Sequence, residues 1–230
     1  LWNVGEESIP YLCDSLKIDP NVIIRRASAK TLNLIGSKKA LPNLVEAFKT
    51  DQDPVVQGSS AGAMATIGAP AIDELLKILV DPGCTAFQVG LINLALSFIG
   101  SKAPDAFDQA TQSDNVEIRI AAITVLAEQI QAQTNKSAKS ALLKALSDEA
   151  SEVRAEAATM AGKTLEPEDA SNQLCRMLQD ESDQVRKNTS LALMKMEATN
   201  AIEQIKDAIN AEKNEKVKSV MTVAVNVLEK

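Results

Sequence analysis

Two hydrophobic patterns alternate along this chain, and the pair of patterns returns about every 32 residues. The first has apolar residues at i, i+3, i+4 and i+7, which is one buried stripe on an α-helix. It appears as Ile9/Leu12/Cys13/Leu16, Leu41/Leu44/Val45/Phe48, Ile72/Leu75/Leu76/Leu79 and Ala103/Ala106/Phe107/Ala110. Looser copies follow at Leu142/Leu143/Leu146, Leu174/Cys175/Leu178 and Ile202/Ile205/Ile209. The second pattern opens on a branched residue followed in four copies by arginine, at Arg25, Arg119, Arg154 and Arg186. Positions 57, 89 and 218 hold the same register with Gln, Val and Lys. Small residues come three and four places later at Ser28/Ala29, Ser60/Ala61, Ala157/Ala158 and Thr189/Ser190, and a Leu, Met or Ala at seven in the first six copies.

Each period therefore predicts two helices, A then B. Prolines at 10, 42 and 104 fall in the first turns of A helices, where proline is tolerated. Pro20, Pro54 and Pro82 fall between A and B. Gly36, Gly68 and Gly100 fit the left-handed residue that follows a helix. A fixed period of this size means stacked units sharing one continuous core. The predicted fold is all-α, a right-handed α-solenoid of about seven helix pairs. The pairs span roughly 6–36, 37–68, 69–100, 101–132, 136–165, 167–198 and 199–230. Leu1–Gly5 reads as the tail of a preceding B helix, and the polar segment from Gln131 to Ser137 as the longest connection.

The unit D-x-x-V-R-x-x-A-A-x-x-L-x-x-I-G resembles the HEAT repeat. The segments Arg25-Arg26-Ala27-Ser28-Ala29-Lys30-Thr31-Leu32, Asp53-Pro54-Val55-Val56-Gln57-Gly58-Ser59-Ser60-Ala61 and Gly62-Ala63-Met64-Ala65-Thr66-Ile67-Gly68 are similar to the short HEAT-like repeats of the E/F-type phycobilin lyases. That resemblance implies a protein that attaches, detaches or transfers linear tetrapyrroles on phycobiliprotein cysteines. It implies a phycocyanobilin-like substrate rather than a permanently bound cofactor. The implied partners are a phycobiliprotein subunit and a second HEAT-repeat subunit. Relatives of the lyases also include chaperones, phycobilisome-degradation factors and a partner of an iron–sulfur scaffold, so a non-enzymatic adaptor is the alternative. No residue matches a known catalytic position.

Composition narrows the chemistry. The net charge of −7 disfavours non-specific binding to nucleic acid. There is no histidine, which removes Ser-His-Asp and Cys-His catalysis and histidine metal ligation. Cysteines at 13, 84 and 175 match no disulfide or zinc spacing, so the expectation is a reduced, cytoplasmic protein without a metal. Cys13 and Cys175 share one core position of the A helix; Cys84 falls in a turn. No apolar run is long enough to span a membrane.

Counting from the arginine of each B helix at about 100° per residue, positions −1, +3, +7 and +10 share the core face. Positions +1, +5 and +8 face the other way, onto the groove that B helices line in a HEAT solenoid. The first copy puts Arg26, Lys30 and Asn33 there, and Trp2 of the preceding helix aligns with Asn33. The next copies supply Gly58, Gly62, Gly90 and Leu94, then Ile120 and Thr124, with Ala155, Thr159 and Gly162 in the fifth. Lys187 follows at the far end. A solvated helix face carries charge, yet copies two to five carry none at these positions, and four of the residues are glycines. Two readings stay open: a binding floor flanked by Arg26, Lys30 and Lys187, or small residues that let neighbouring B helices pack closely. The recurrent arginines read as structural ties to the turns between repeats.

Overall fold

The computed structural model describes residues 5–107, 109–132 and 136–230. Residues 1–4 of the preceding helix tail, Trp2 among them, and residues 133–135 of the predicted connection lie outside the described residues. Described residues form no strand; the chain is all-α and divides into two compact units, at residues 1–110 and 111–230.

The first unit holds α1 (Ile9–Ile18), α2 (Val22–Ile35), α3 (Leu41–Thr50), α4 (Pro54–Ile67), α5 (Ile72–Leu79) and α6 (Ala86–Lys102). The odd-numbered helices are A and the even-numbered are B. Pro10 and Pro42 sit in the first turns of α1 and α3, and Pro54 opens α4. Side chains cap the B helices: Asn21 accepts from Ile23 N–H, and Asp53 from the Val55 and Val56 amides. Thr85 and Gln88 form a capping box on α6, and the Gln88 amide also reaches the Phe48 carbonyl at 3.1 Å. The core is Leu16, Leu32, Leu44, Phe48, Met64, Leu75, Leu76 and Ile92, all buried.

The second unit holds α7 (Val116–Ala132), α8 (Lys136–Ala145), α9 (Ser151–Thr164), α10 (Pro167–Met177), α11 (Asp183–Lys195), α12 (Ile202–Ala211) and α13 (Glu215–Leu228). Its core joins Ile123, Leu142, Val153, Leu174, Val185, Leu193, Ile205 and Met221. Positions +3 and +7 of all seven B helices are buried across the two units, as the register predicts. Position −1 is buried in six; Ile24 is the exposed exception.

Three local expectations are corrected. Among the described residues the stripe from Ala103 to Ala110 makes no α-helix; it forms 3-10 pieces at Pro104–Phe107 and Ala110–Gln112. Three of its four apolar positions are alanine, which bury too little surface to hold a longer helix. Gly100 is not a cap: α6 runs through it to Lys102, and Gly100 is buried inside the helix. Gly36 and Gly68 do take positive φ, at 64° and 81°. The equivalent place in the sixth repeat holds Glu197, which adopts φ 57° without glycine's freedom. Cys175 is half-buried at the edge of the core, whereas Cys13 is buried.

The periodic arginines tie consecutive repeats. Arg25, Arg119, Arg154 and Arg186 each donate to a carbonyl six residues back, at Asp19, Ser113, Asp148 and Asp180. Each also makes a two-pronged bond to a carboxylate of the next A–B turn: Asp51, Asp148, Asp180 and Glu212 respectively. Each carboxylate in turn accepts the amide two residues on, as Asp180 does from Ser182. Burial pushes the Asp51 and Asp180 carboxyls up, but the arginine and amide hydrogen bonds together hold both below the usual value. At Glu212 the Arg186 hydrogen bond dominates and the value falls to about 2.

Two predictions follow from these ties. Arg154 and Asp180 side chains are each only 11% exposed. Arg154→Ala strands Asp180 and two turn carbonyls, and should lower unfolding free energy by about 3 kcal/mol in urea melts; Arg154→Lys should recover part of it. Because Glu212 binds fewer protons folded than unfolded, its contribution is full above about pH 4.5 and fades as pH falls toward about 2. Glu212→Gln should flatten that acid limb in circular-dichroism titrations, at the expense of stability near neutrality.

Candidate functional site

Helices α2, α4 and α6 lie side by side in the first unit and leave an open groove of about 370 Å³. Its walls are Asn33 and Thr66, the small residues Gly58, Ala61, Gly62, Ala65 and Ala95, and the larger Leu91, Leu94 and Phe98. Four of the residues picked out by the register, Asn33, Gly58, Gly62 and Leu94, converge here. Leu94 is 69% exposed and Phe98 42%, a high exposure for side chains of this size. Gly90 lies one turn before Leu94 and is open, with nothing within 4 Å of where its Cβ would be. Gly58 has only a Leu91 methyl, at 4.0 Å.

The cations are not equivalent. Arg26 does not stand free beside the floor as expected. It is locked to Asp53 by two hydrogen bonds, of 2.9 and 2.5 Å. Arg26 is the main reason that the Asp53 carboxyl falls to about 2. Asp53 is fixed there because it caps α4. Lys30 is exposed and makes no ion pair among the described residues.

The second unit treats the same register differently. Ala127, Ala155 and Gly162 are buried. A Cβ on Gly162 would lie 2.5 Å from Ala192 Cα and 3.0 Å from its carbonyl oxygen, so this glycine exists to let α9 and α11 touch. Thr124 and Thr159 are half-buried and return their hydroxyls to the Ile120 and Ala155 carbonyls. Asn188 bridges α11 to Thr159 and to the Ala155 carbonyl. Ile120 and Lys187 are half-buried. Small residues on the predicted face thus have two roles, an open floor in one unit and helix packing in the other.

Residues at −2 and +9 also belong to this face, beyond the three positions that the register picks out. At −2 the first unit carries Ile23, Val55 and Phe87, spaced by 32 and all exposed, with Phe87 51% exposed. At +9 it carries Leu34, Thr66 and Phe98. The second unit puts Glu117, Glu152, Gln184 and Lys216 at −2. The signal was the same helical arithmetic, extended one turn each way. The first unit therefore presents an apolar ridge along the leading ends of its B helices, beside the glycine floor.

The cysteines offer no activated nucleophile. Burial pushes the Cys13, Cys84 and Cys175 thiols up, with nearby Asp14 and Asp81 adding to the first two. No cluster of three metal-ligating side chains exists among the described residues, and no single helix there is long and apolar enough to cross a membrane.

With this geometry in view, comparison with known proteins defines the class. Residues 1–65, 103–191 and 140–226 match the family of HEAT repeats, and the chain belongs to that family of α-solenoids. Within that class the sequence is 60% identical over 230 residues to the bilin biosynthesis protein MpeU of Synechococcus sp. (strain WH8020), covering 100% of this chain and 77% of the relative. Among solved structures, a designed armadillo repeat protein in complex with the peptide (KR)4 is similar over 96% of this chain and 99% of its own, at 19% identity and a TM-score of 0.45. Human deoxyhypusine hydroxylase in complex with glycerol aligns over 97% and 96%, at 17% identity and a TM-score of 0.39.

The two glycine roles separate under substitution. Gly58→Ala and Gly90→Ala should each raise unfolding free energy by roughly 0.5–1 kcal/mol, since both are mid-helix and unobstructed. Gly162→Ala should lower it by about 2 kcal/mol through the clash with the Ala192 backbone. Urea melts of the three variants measure both signs.

Proposed function

We propose that this chain handles a linear tetrapyrrole, holding it in the groove between α2, α4 and α6 while a phycobiliprotein client docks on the same face. The observation that carries the reading is the convergence of Asn33, Gly58, Gly62 and Leu94 on one apolar groove, in a chain 60% identical to a protein named for bilin biosynthesis. An open-chain tetrapyrrole is flat and largely apolar. A floor without side chains lets such a ligand lie against helix backbone, and a groove of this size is ordinary for small-molecule recognition. Lys30 is the cation available to a propionate, while Arg26 is already engaged with Asp53.

The work done on the bilin is chiefly positioning. The thiol of a client cysteine adds across the exocyclic double bond of a terminal ring; a carbon–sulfur bond forms and the thiol proton passes to the pyrrolic system. The raised thiols of Cys13, Cys84 and Cys175 favour a sulfur from the client rather than from this chain. The ridge of Ile23, Val55 and Phe87 supports a protein partner, since single exposed apolar residues are common but an aligned row of three marks an interaction surface.

Adding phycocyanobilin to the purified chain should red-shift and sharpen the pigment's absorption. Leu94→Glu, at an exposed position, should weaken that binding at least tenfold with an unchanged circular-dichroism spectrum. Phe87→Glu should leave bilin binding intact and reduce co-sedimentation with an apo-phycobiliprotein. An unchanged absorption spectrum, with and without the apo-phycobiliprotein, would overturn the reading.

A further inference from the structure

The groove contains one polar device. Thr66 Oγ1 donates to Asn33 Oδ1 at 2.6 Å, from α4 across to α2. With Oδ1 accepting from Thr66, the Nδ2 end of the Asn33 amide is turned the other way. That end lies over Gly62: a Cβ there would be 3.2 Å from Nδ2. The Thr66 methyl group occupies the space that a side chain at Gly36 would need, since a Cβ there would lie 3.0 Å from it. Nδ2 makes no hydrogen bond to any described residue, and both Asn33 and Gly62 line the groove. Thr66, Asn33 and Gly62 thus place one N–H donor beside an apolar floor.

We propose that Asn33 is the specificity-determining donor of this groove, and that its Nδ2 donates to the lactam carbonyl oxygen of a terminal ring of the bound tetrapyrrole. The proposal rests on the tetrapyrrole reading given above. The acceptor is neutral because the residues lining the groove are uncharged, and a carboxylate placed among them would lose its hydration without a counter-charge. A linear tetrapyrrole carries lactam carbonyls at its two ends and propionates in its middle. A terminal ring therefore enters the groove and the propionates stay toward solvent, where exposed cations such as Lys30 are found. Covering the amide with the ligand removes competing water and strengthens the discrimination, because a site built around a donor rejects a ligand lacking the acceptor.

The test is absorbance titration of the full chain with phycocyanobilin and with its bis-lactim methyl ether, which lacks the carbonyl acceptors. Wild type should bind the ether about tenfold more weakly than the parent bilin. Asn33→Asp keeps the oxygen that Thr66 bonds but removes the donor; it should weaken phycocyanobilin binding at least tenfold and erase the preference over the ether. Thr66→Val should lose several-fold by freeing the amide to rotate, and Thr66→Ser should restore it. Equal binding of the two pigments by wild type, or undiminished bilin binding by Asn33→Asp, overturns this assignment and leaves the tetrapyrrole reading standing. Failure of wild type to bind either pigment overturns both. If Asn33→Asp proves unstable, the comparison of the two pigments on wild type decides alone.

Discussion

The structure depends on an arginine that has two jobs. Each periodic guanidinium closes its own A–B turn through a carbonyl six residues back and grips the carboxylate of the following turn. A helix pair cannot bury its apolar face alone, so it must be held in register with its neighbour. Apolar contact supplies most of the stabilisation but little direction. The planar, five-donor guanidinium supplies direction, because it can satisfy a carbonyl and a carboxylate only when two turns are correctly placed. The carboxylate completes the arrangement by capping its own turn with the amide two residues on.

In the two first-unit copies that lack the arginine, the device is simplified rather than lost. Gln57 keeps the bond to the carbonyl six residues back, at Asp51, without reaching for a carboxylate. The next copy replaces both with the Gln88 capping box and its bond to the Phe48 carbonyl. These two copies provide α4 and α6, whose exposed faces carry the glycine floor and most of the apolar ridge. The first unit therefore combines fewer charged ties with an uncharged, exposed surface, and the second combines three consecutive arginine ties with closely packed B helices. The difference fits a division in which one unit presents a surface and the other is built for cohesion.

Glycine shows how one residue type serves both ends. At Gly162 the absent Cβ is filled by the Ala192 backbone, and the helices gain contact. At Gly58 and Gly90 nothing fills it, and the helix bears a destabilising residue without packing in return. Gly62 is intermediate: the space beside it is occupied by the Asn33 amide, which a side chain would displace. An unfilled glycine inside a helix is stronger evidence for a ligand than a glycine under a neighbouring backbone.

Much was legible before any coordinates. The 32-residue period, the A and B helices, the core positions at +3 and +7 and the structural reading of Arg25, Arg119, Arg154 and Arg186 all follow from local spacing, because helical geometry converts sequence separation directly into direction. The same arithmetic named Asn33, Gly58, Gly62 and Leu94. It failed where a short-range pattern does not settle the outcome: the alanine stripe after α6 matched the spacing of a helix but lacked the buried surface to hold one, and Gly100 matched a cap but stayed helical. Spacing also could not say that Arg26 would be claimed by Asp53, nor that Thr66 would orient Asn33, because these are bonds between repeats whose geometry depends on how neighbouring helices approach. Which residues face away from the core follows from spacing within each repeat. Whether that face is open, as over Gly58 and Gly90, or closed, as over Gly162, follows from the distance between adjacent helices, which is set by packing that no single repeat encodes.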